Sequence, residues 1–162
     1  MEKAIKIAKP VALVLLGILP YFYGRHLSNL MMTRYFYQQG PLFLYALAML
    51  AAWFGFGALS KALVPSKRQA ILLLNAAAIL ALLLIFVQEV IIGHFWFNQV
   101  GIATQMFYLP MMRFGVVVVR VLPLMRGAMT LLSAISLCLM VAAAFFGRTA
   151  VDRICKAVGE RR

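Results

Sequence analysis

The stretch 70–92, AILLLNAAAILALLLIFVQEVII, decides the fold of this chain. Wound as an α-helix it is about 34 Å long, which is enough to cross the roughly 30 Å hydrocarbon core of a bilayer. Its strongly polar members are Asn75, Gln88 and Glu89. An apolar run of this length predicts a transmembrane helix.

The rest of the chain is also too apolar for an ordinary soluble domain. Of its 162 residues, 65% are hydrophobic, and the mean hydropathy is +0.95, whereas soluble domains are usually about half apolar. The excess is concentrated in long blocks, and a soluble fold would have no interior large enough to bury them. Composition therefore predicts an all-α integral membrane protein.

Three further apolar blocks predict three more spans, at 5–23, 41–63 and 127–146. Together with the span at 70–92 they predict a four-transmembrane-helix bundle. Pro20 predicts a kink or the end of the first span, because proline cannot donate the helical hydrogen bond. No long linker and no repeat of fixed period separates the blocks, so we expect a single membrane domain over 1–162.

Segments outside these spans carry weaker signals. The aromatic and amide-rich stretch 94–110 suits a membrane interface or a partly re-entrant segment. The segment 111–125 (MMRFGVVVVRVLPLM) either lies in the interface or forms the outer part of the last helix, kinked at Pro123. The tail 147–162 alternates apolar and basic residues, which predicts a short amphipathic helix on an anionic membrane face.

The basic residues are placed as in a membrane protein. The formal net charge of +12 comes from sixteen Lys and Arg against four Asp and Glu. They flank the apolar blocks and leave no basic stripe, so we expect no nucleic-acid partner. Eleven of the sixteen lie in the N-terminal segment, the connection 61–68 and the tail. The positive-inside rule then predicts that both termini are cytoplasmic, and the small size and short loops suit a bacterial inner membrane.

Catalytic signatures are missing from the sequence. It has no HExxH, GxSxG or Walker motif, no paired carboxylates and no Cys/His cluster. We therefore predict no enzymatic activity, no bound metal and no cofactor. Cys138 and Cys155 are expected at different depths, which argues against a disulfide between them.

Glu89 is the single acidic residue in the long hydrophobic middle of the chain. With Gln88, Asn75 and His94 it forms the candidate membrane-embedded polar site. A carboxylate in a span is costly without a partner or a purpose. It is either a proton-titrating or ligand-gating group, or it forms a salt bridge that fixes helix packing. Five arginines are its candidate partners, and three of them (Arg25, Arg113 and Arg120) are the ones expected in such a bridge. The other two are Arg34 and Arg126.

Arginines on the predicted outer side form a second candidate site. Because arginine makes bidentate contacts with phosphate and carboxylate, they are predicted contacts for an anion or lipid headgroup, although ordinary anchoring to phospholipids explains them equally well. These residues are Arg25, Arg34, Arg113, Arg120 and Arg126.

Small residues in the second predicted span form the pairs Ala48/Ala52 and Ala51/Gly55. Small residues four apart allow two helices to approach closely. We expect these pairs to pack within the chain rather than in a dimer interface.

Three functions remain open from the sequence. The first is a non-enzymatic polytopic membrane subunit or accessory protein of a larger complex of the transport or secretion type. The second is a small homo-oligomeric transporter or channel that uses Glu89. The third is a protein that handles anionic lipids or lipid phosphates through the outer arginines. The expected partners are the bilayer and its anionic phospholipids, with other membrane proteins or further copies of the chain.

Overall fold

The computed structural model describes residues 2–32, 39–112, 114 and 129–159, and every regular element in those ranges is helical. Four helical segments are long and apolar enough to cross a membrane, as expected from the sequence. These segments are Ile7–Leu30, Phe43–Leu63, Lys67–Ile92 and Met129–Val158.

Six α-helices make up the described chain. They are α1 (Glu2–Leu16), α2 (Leu19–Met32), α3 (Gln39–Leu63), α4 (Lys67–Phe86), α5 (Gln99–Tyr108) and α6 (Met129–Gly159). A π-helical segment, Val87–Ile92, continues α4, and a 3-10 turn, Leu109–Met111, follows α5.

The first span is longer than the predicted 5–23 and has a break in it. Helix α1 ends at Leu16, and α2 resumes at Leu19 and continues to Met32, nine residues past the predicted end of the span at Tyr23. Pro20 explains the break, because its ring would clash with the carbonyl of Leu16, four residues earlier. The Ile18 N–H instead bonds to the Leu15 carbonyl at 3.1 Å, which closes a tighter turn.

The helices predicted at 41–63 and 70–92 are confirmed, since α3 ends at the expected residue and α4 with its π-helical segment contains all of 70–92. Helix α4 follows Ser66, which is extended. The π-helical segment ends at Gly93, which has φ +78°. Glycine adopts this left-handed conformation without the Cβ penalty of other residues, so it closes the helix.

The prediction of a separate amphipathic helix over 147–162 is wrong for the described residues. Helix α6 passes without interruption from the predicted span into the tail and reaches Gly159. The cause is packing: Arg148 is only 3% exposed and faces the connection between α3 and α4 rather than a membrane surface. Helix α6 therefore continues 13 residues past the predicted end of the span at Phe146.

Most of the segment 111–125 lies outside the described residues. Met111 and Met112 follow directly from α5, and Phe114 packs its ring against Phe43 at a centroid distance of 5.3 Å. Pro123 also lies outside the described part, so the choice between an interfacial segment and a kinked helix stays a prediction.

Helix α5 is too short to cross a bilayer and packs against α2 and α4. Its Tyr108 is fully buried, and the hydroxyl donates to the carbonyl of Ala78 on α4. Burial, with a smaller contribution from Cys138, raises the pKa of Tyr108 above its usual value, so the hydroxyl stays protonated as a donor. This bond attaches α5 to the middle of α4.

Helices α3 and α6 make the most extensive contact in the structure. Glycines allow their backbones to approach: a Cβ on Gly57 would meet the backbone of Ala144, and one on Gly147 would meet the carbonyl of Phe54. The core between the helices is filled mainly by large apolar side chains. Its fully buried members include Leu13, Trp53, Leu74, Ile85, Met111 and Met140.

The pairs Ala48/Ala52 and Ala51/Gly55 have different surroundings. Ala48 and Ala52 line an apolar cavity together with side chains of α2, whereas the pair Ala51/Gly55 makes no close helix contact at Gly55 in the described chain. The three alanines are exposed, and a Cβ on Gly55 would meet nothing within 4 Å. Close helix contact is made by Gly57 instead, which lies on a different face of α3. The spacing of small residues in the sequence identifies a helix face suited to close packing, but it does not identify the helix that packs against that face.

Gly57→Ala and Gly55→Ala are a matched pair for this packing. Because a methyl group at Gly57 pushes against α6 backbone, we expect Gly57→Ala to lower the free energy of unfolding by about 1–3 kcal/mol. Gly55→Ala adds the same group into open space and should be neutral or stabilising by up to about 1 kcal/mol. Thermal unfolding in detergent measures both, and equal melting temperatures for the two variants would contradict the α3–α6 packing.

Candidate functional site

Glu89 lies in the π-helical segment and reaches the start of α6. One carboxylate oxygen accepts from the backbone N–H of Met129 at 2.8 Å. The other accepts from the N–H of Thr130 at 2.6 Å and from the Thr130 hydroxyl at 2.5 Å. Glu89 therefore satisfies donors at the N-terminal end of a helix far away in sequence.

This arrangement explains how a carboxylate is tolerated in an apolar span. The first N–H groups of a helix have no partner within it, and the N-terminal end of the helix dipole attracts a negative charge. A π-helical turn is a local change from the α-helical hydrogen-bonding pattern, and such turns are often found at functional sites. Here it holds Glu89 toward α6 while its neighbour Gln88 faces elsewhere.

The predicted arginine partners of Glu89 are mostly outside the described residues. Arg34, Arg113, Arg120 and Arg126 all fall there, so a salt bridge to Arg113 or Arg120 stays a prediction. Arg25 is described, and no ion pair joins it to Glu89.

The other three residues of the candidate polar site bond to different elements. Gln88 is fully buried and accepts from the backbone N–H of Trp96 at 3.0 Å. Asn75 accepts from the indole N–H of Trp53 on α3 at 3.0 Å, and His94 is exposed. Among the described residues these side chains make no hydrogen bond to one another or to Glu89, so they do not form one site.

Arg148 is the centre of a polar cluster that sequence reasoning missed. It donates from Nη1 to the Val64 carbonyl at 2.9 Å and from Nη2 to the Pro65 carbonyl at 2.8 Å. A third bond goes to the Ser60 hydroxyl at 3.2 Å. Arg148 thus satisfies two carbonyls in the connection that follows α3.

Acid and base side chains complete this cluster. Asp152 lies 3.7 Å from Arg148 and 2.9 Å from the Lys61 ammonium. Lys67 donates to the Thr149 hydroxyl at 2.6 Å and lies 3.5 Å from the ring centre of Phe145. The i,i+4 spacing of Arg148 and Asp152 was the available signal. This signal was overlooked because both residues lie in the tail 147–162, which was predicted to be an amphipathic helix on the membrane surface.

A polar cavity of about 410 Å³ lies between α2 and α5. Arg25, Ser28 and Asn29 line it from α2, and Gln99 lines it from α5. Arg25 is the one predicted outer arginine in the described part of the chain, and this cavity places it beside other polar side chains. Asn98 fixes the start of α5, because its side chain accepts from the Gly101 N–H at 2.9 Å.

An apolar cavity of about 420 Å³ adjoins the polar one, and the two share Tyr21, Gln99 and Ala103 as lining residues. Its remaining walls come from the α1–α2 junction, from α4 and from α5. They are formed by Ile18, Ala77, Leu80, Ala81, Leu84, Val100, Thr104 and Phe107. The two cavities together form a groove with one polar end and one apolar end, called here the α2–α5 groove.

The groove is oriented along the spans. Ile18 and Leu80, in its apolar part, lie near the midpoints of Ile7–Leu30 and Lys67–Ile92. Arg25 lies closer to the end of its span, about 10 Å from the level of Ile18. The polar part of the groove thus lies nearer the end of the segment Ile7–Leu30 than the apolar part does.

Comparison of the chain with protein-family models, with curated proteins and with solved structures finds no match. In its described residues the structure is all-helical, with four helical segments long and apolar enough to span a membrane. Its sites are a carboxylate that caps α6, a buried arginine cluster, and the α2–α5 groove.

Proposed function

We propose that this chain is an integral membrane protein that binds an anionic amphiphile, a lipid with a phosphate-bearing headgroup, in the α2–α5 groove. The observation that carries the proposal is that the polar cavity beside Arg25 shares three lining residues with the apolar cavity beside α4. A bacterial inner membrane is the proposed location, from the short loops and the charge distribution.

Arg25 supplies the charge that the proposal needs. Its guanidinium has five N–H donors and matches a phosphate group in two-point contacts. No ion pair occupies it among the described residues, and it is exposed beside the cavity. Ser28, Asn29 and Gln99 add neutral donors around the same space.

The apolar cavity suits a hydrocarbon chain. Its lining is dominated by aliphatic side chains, among them Leu80 and Leu84 of α4. A volume of about 420 Å³ exceeds the roughly 150 Å³ that holds benzene. A chain seated there would remain at the depth where lipid chains lie.

The hypothesis of a homo-oligomeric transporter or channel that uses Glu89 has less support than lipid binding in the groove. A carboxylate that carries protons or ions needs to exchange partners, whereas Glu89 accepts three hydrogen bonds from the first residues of α6. Those bonds favour a packing role.

Arg25→Gln tests the proposed function. Because the variant removes a charge-assisted contact, retention of dioleoyl phosphatidylglycerol over dioleoyl phosphatidylcholine should fall at least about tenfold. Native mass spectrometry of protein released from mixed-lipid nanodiscs measures the retained lipid. The exposed position of Arg25 predicts an unchanged melting temperature.

Arg68→Gln is the matched control, since Arg68 is an exposed arginine in the first turn of α4 and does not line either cavity of the groove. It should retain phosphatidylglycerol as the unmodified protein does. Equal losses in the two variants would mean ordinary headgroup anchoring and would refute a site at Arg25.

The second candidate function is a subunit or accessory protein of a larger membrane complex. The observation that favours it is the small-residue face of α3, where Ala51 is exposed and a Cβ on Gly55 would meet nothing within 4 Å. A small-residue face permits close approach by another helix. Native mass spectrometry after gentle extraction would show a second chain at fixed stoichiometry if this function is correct.

A further inference from the structure

We infer that the headgroup bound in the α2–α5 groove is a phosphodiester that carries a neutral, hydroxyl-rich substituent such as glycerol or a sugar. The inference rests on the proposed function, and it adds the chemistry of the ligand. It comes from the charge, the hydrogen-bonding groups and the size of the polar cavity.

The charge of the cavity favours a headgroup with one negative charge. Arg25 is the single charged residue among the described residues that line it, and no carboxylate is present there. An ammonium-bearing headgroup, such as ethanolamine, would find no acid to pair with. Glu89 and Asp152, the acids whose side chains are described, bond to α6 and to Lys61 instead.

The neutral lining groups suit hydroxyls. Asn29 and Gln99 each present an amide that both donates and accepts, and the Ser28 hydroxyl does the same. The oxygens of an ionised phosphodiester only accept hydrogen bonds. A phosphate alone would therefore give the carbonyl oxygens of these amides no donor to accept from. A polyol offers both donors and acceptors and can satisfy both ends of each amide.

The size of the polar cavity points the same way. Its volume of about 410 Å³ compares with the roughly 150 Å³ that accommodates a six-carbon ring. A phosphate group alone would leave most of that space to water. A phosphate with a three-carbon polyol or a sugar ring fills more of it and reaches from Arg25 toward Gln99.

A headgroup series at constant chain composition tests the inference. The full-length protein is placed in nanodiscs containing equal amounts of dioleoyl phosphatidylglycerol, phosphatidic acid and phosphatidylethanolamine, and native mass spectrometry counts the lipids retained. We expect phosphatidylglycerol to exceed each of the other two by about fivefold. Asn29 is exposed, and Asn29→Ala should remove the preference for phosphatidylglycerol over phosphatidic acid. Both lipids should still be retained in larger amounts than phosphatidylethanolamine.

Each other outcome has a definite reading. Phosphatidic acid retained as well as phosphatidylglycerol, with both lost in Arg25→Gln, overturns the headgroup inference and leaves the proposed function intact. Equal retention of all three lipids overturns both. Soluble glycerol 3-phosphate serves as a competitor: we expect it to leave lipid retention unchanged, and efficient displacement would overturn the assignment to a lipid.

Discussion

Arg148→Ala is expected to lower the free energy of unfolding by about 3 kcal/mol. The guanidinium is 3% exposed and holds the carbonyls of Val64 and Pro65 together with the Ser60 hydroxyl. Its removal leaves buried acceptors without donors and opens space between α6 and the α3–α4 connection. Thermal or denaturant unfolding in detergent, followed by tryptophan fluorescence, measures the loss.

Two further variants separate this contact from a general effect of charge. Arg153→Ala removes an exposed arginine from the same helix and should change stability by no more than about 0.5 kcal/mol. Arg148→Lys keeps the charge but loses the planar fork that reaches two carbonyls, so it should fall between the two alanine variants. Equal stability of Arg148→Ala and Arg153→Ala would show that Arg148 does not join α6 to α3.

Glu89→Ala is expected to lower the free energy of unfolding by about 1–2 kcal/mol, the upper part of the usual range for removing a helix cap. The variant leaves the N–H groups of Met129 and Thr130 without their acceptor in an apolar environment. Hydrogen–deuterium exchange should report faster exchange at the first turn of α6, with little change at its C-terminal end.

Glu89→Gln provides the informative comparison, because the amide keeps one acceptor oxygen but not the charge. We expect its stability to lie between that of Glu89→Ala and the unmodified protein. Val90→Ala, at an exposed neighbour in the same π-helical segment, controls for disturbance of the turn. If both Glu89 variants were as stable as the Val90 control, the capping role would be wrong and the titrating role would regain support.

The sequence was sufficient for the parts of the fold that depend on local apolar patterns. The run 70–92 is long and nearly free of charge, so its helix and its approximate ends followed from composition alone. The break near Pro20 also followed, because it arises from the missing N–H and the ring of one residue. The continuation of α2 to Met32 did not, since its polar residues resemble a loop until α5 is seen packed beside them.

The candidate sites were less accessible because they depend on contacts between distant segments. Glu89 was recognised as a costly residue, but its partners are backbone N–H groups at Met129 and Thr130, which no side-chain pattern reveals. Arg148 looked like a membrane-surface residue until its position against Val64 was known. Arg25 was predicted as a headgroup contact, and whether it is one stays a prediction. The groove beside it arises from the short helix α5, whose docking the sequence did not indicate.

Photo-crosslinking of a bound lipid tests the central claim most directly. Phosphatidylglycerol with a diazirine in one acyl chain is incorporated into nanodiscs with the protein. The nanodiscs are irradiated, and the residues that carry lipid adducts are mapped by mass spectrometry. Leu80, in the groove, and Leu59, on α3, are a matched pair, because their side chains are 59% and 58% exposed. Binding in the α2–α5 groove predicts adducts concentrated at Leu80 and its neighbour Leu84, and reduced in Arg25→Gln. Labelling of Leu59 as strong as that of Leu80 would show that lipid covers the protein evenly and would contradict the proposed site.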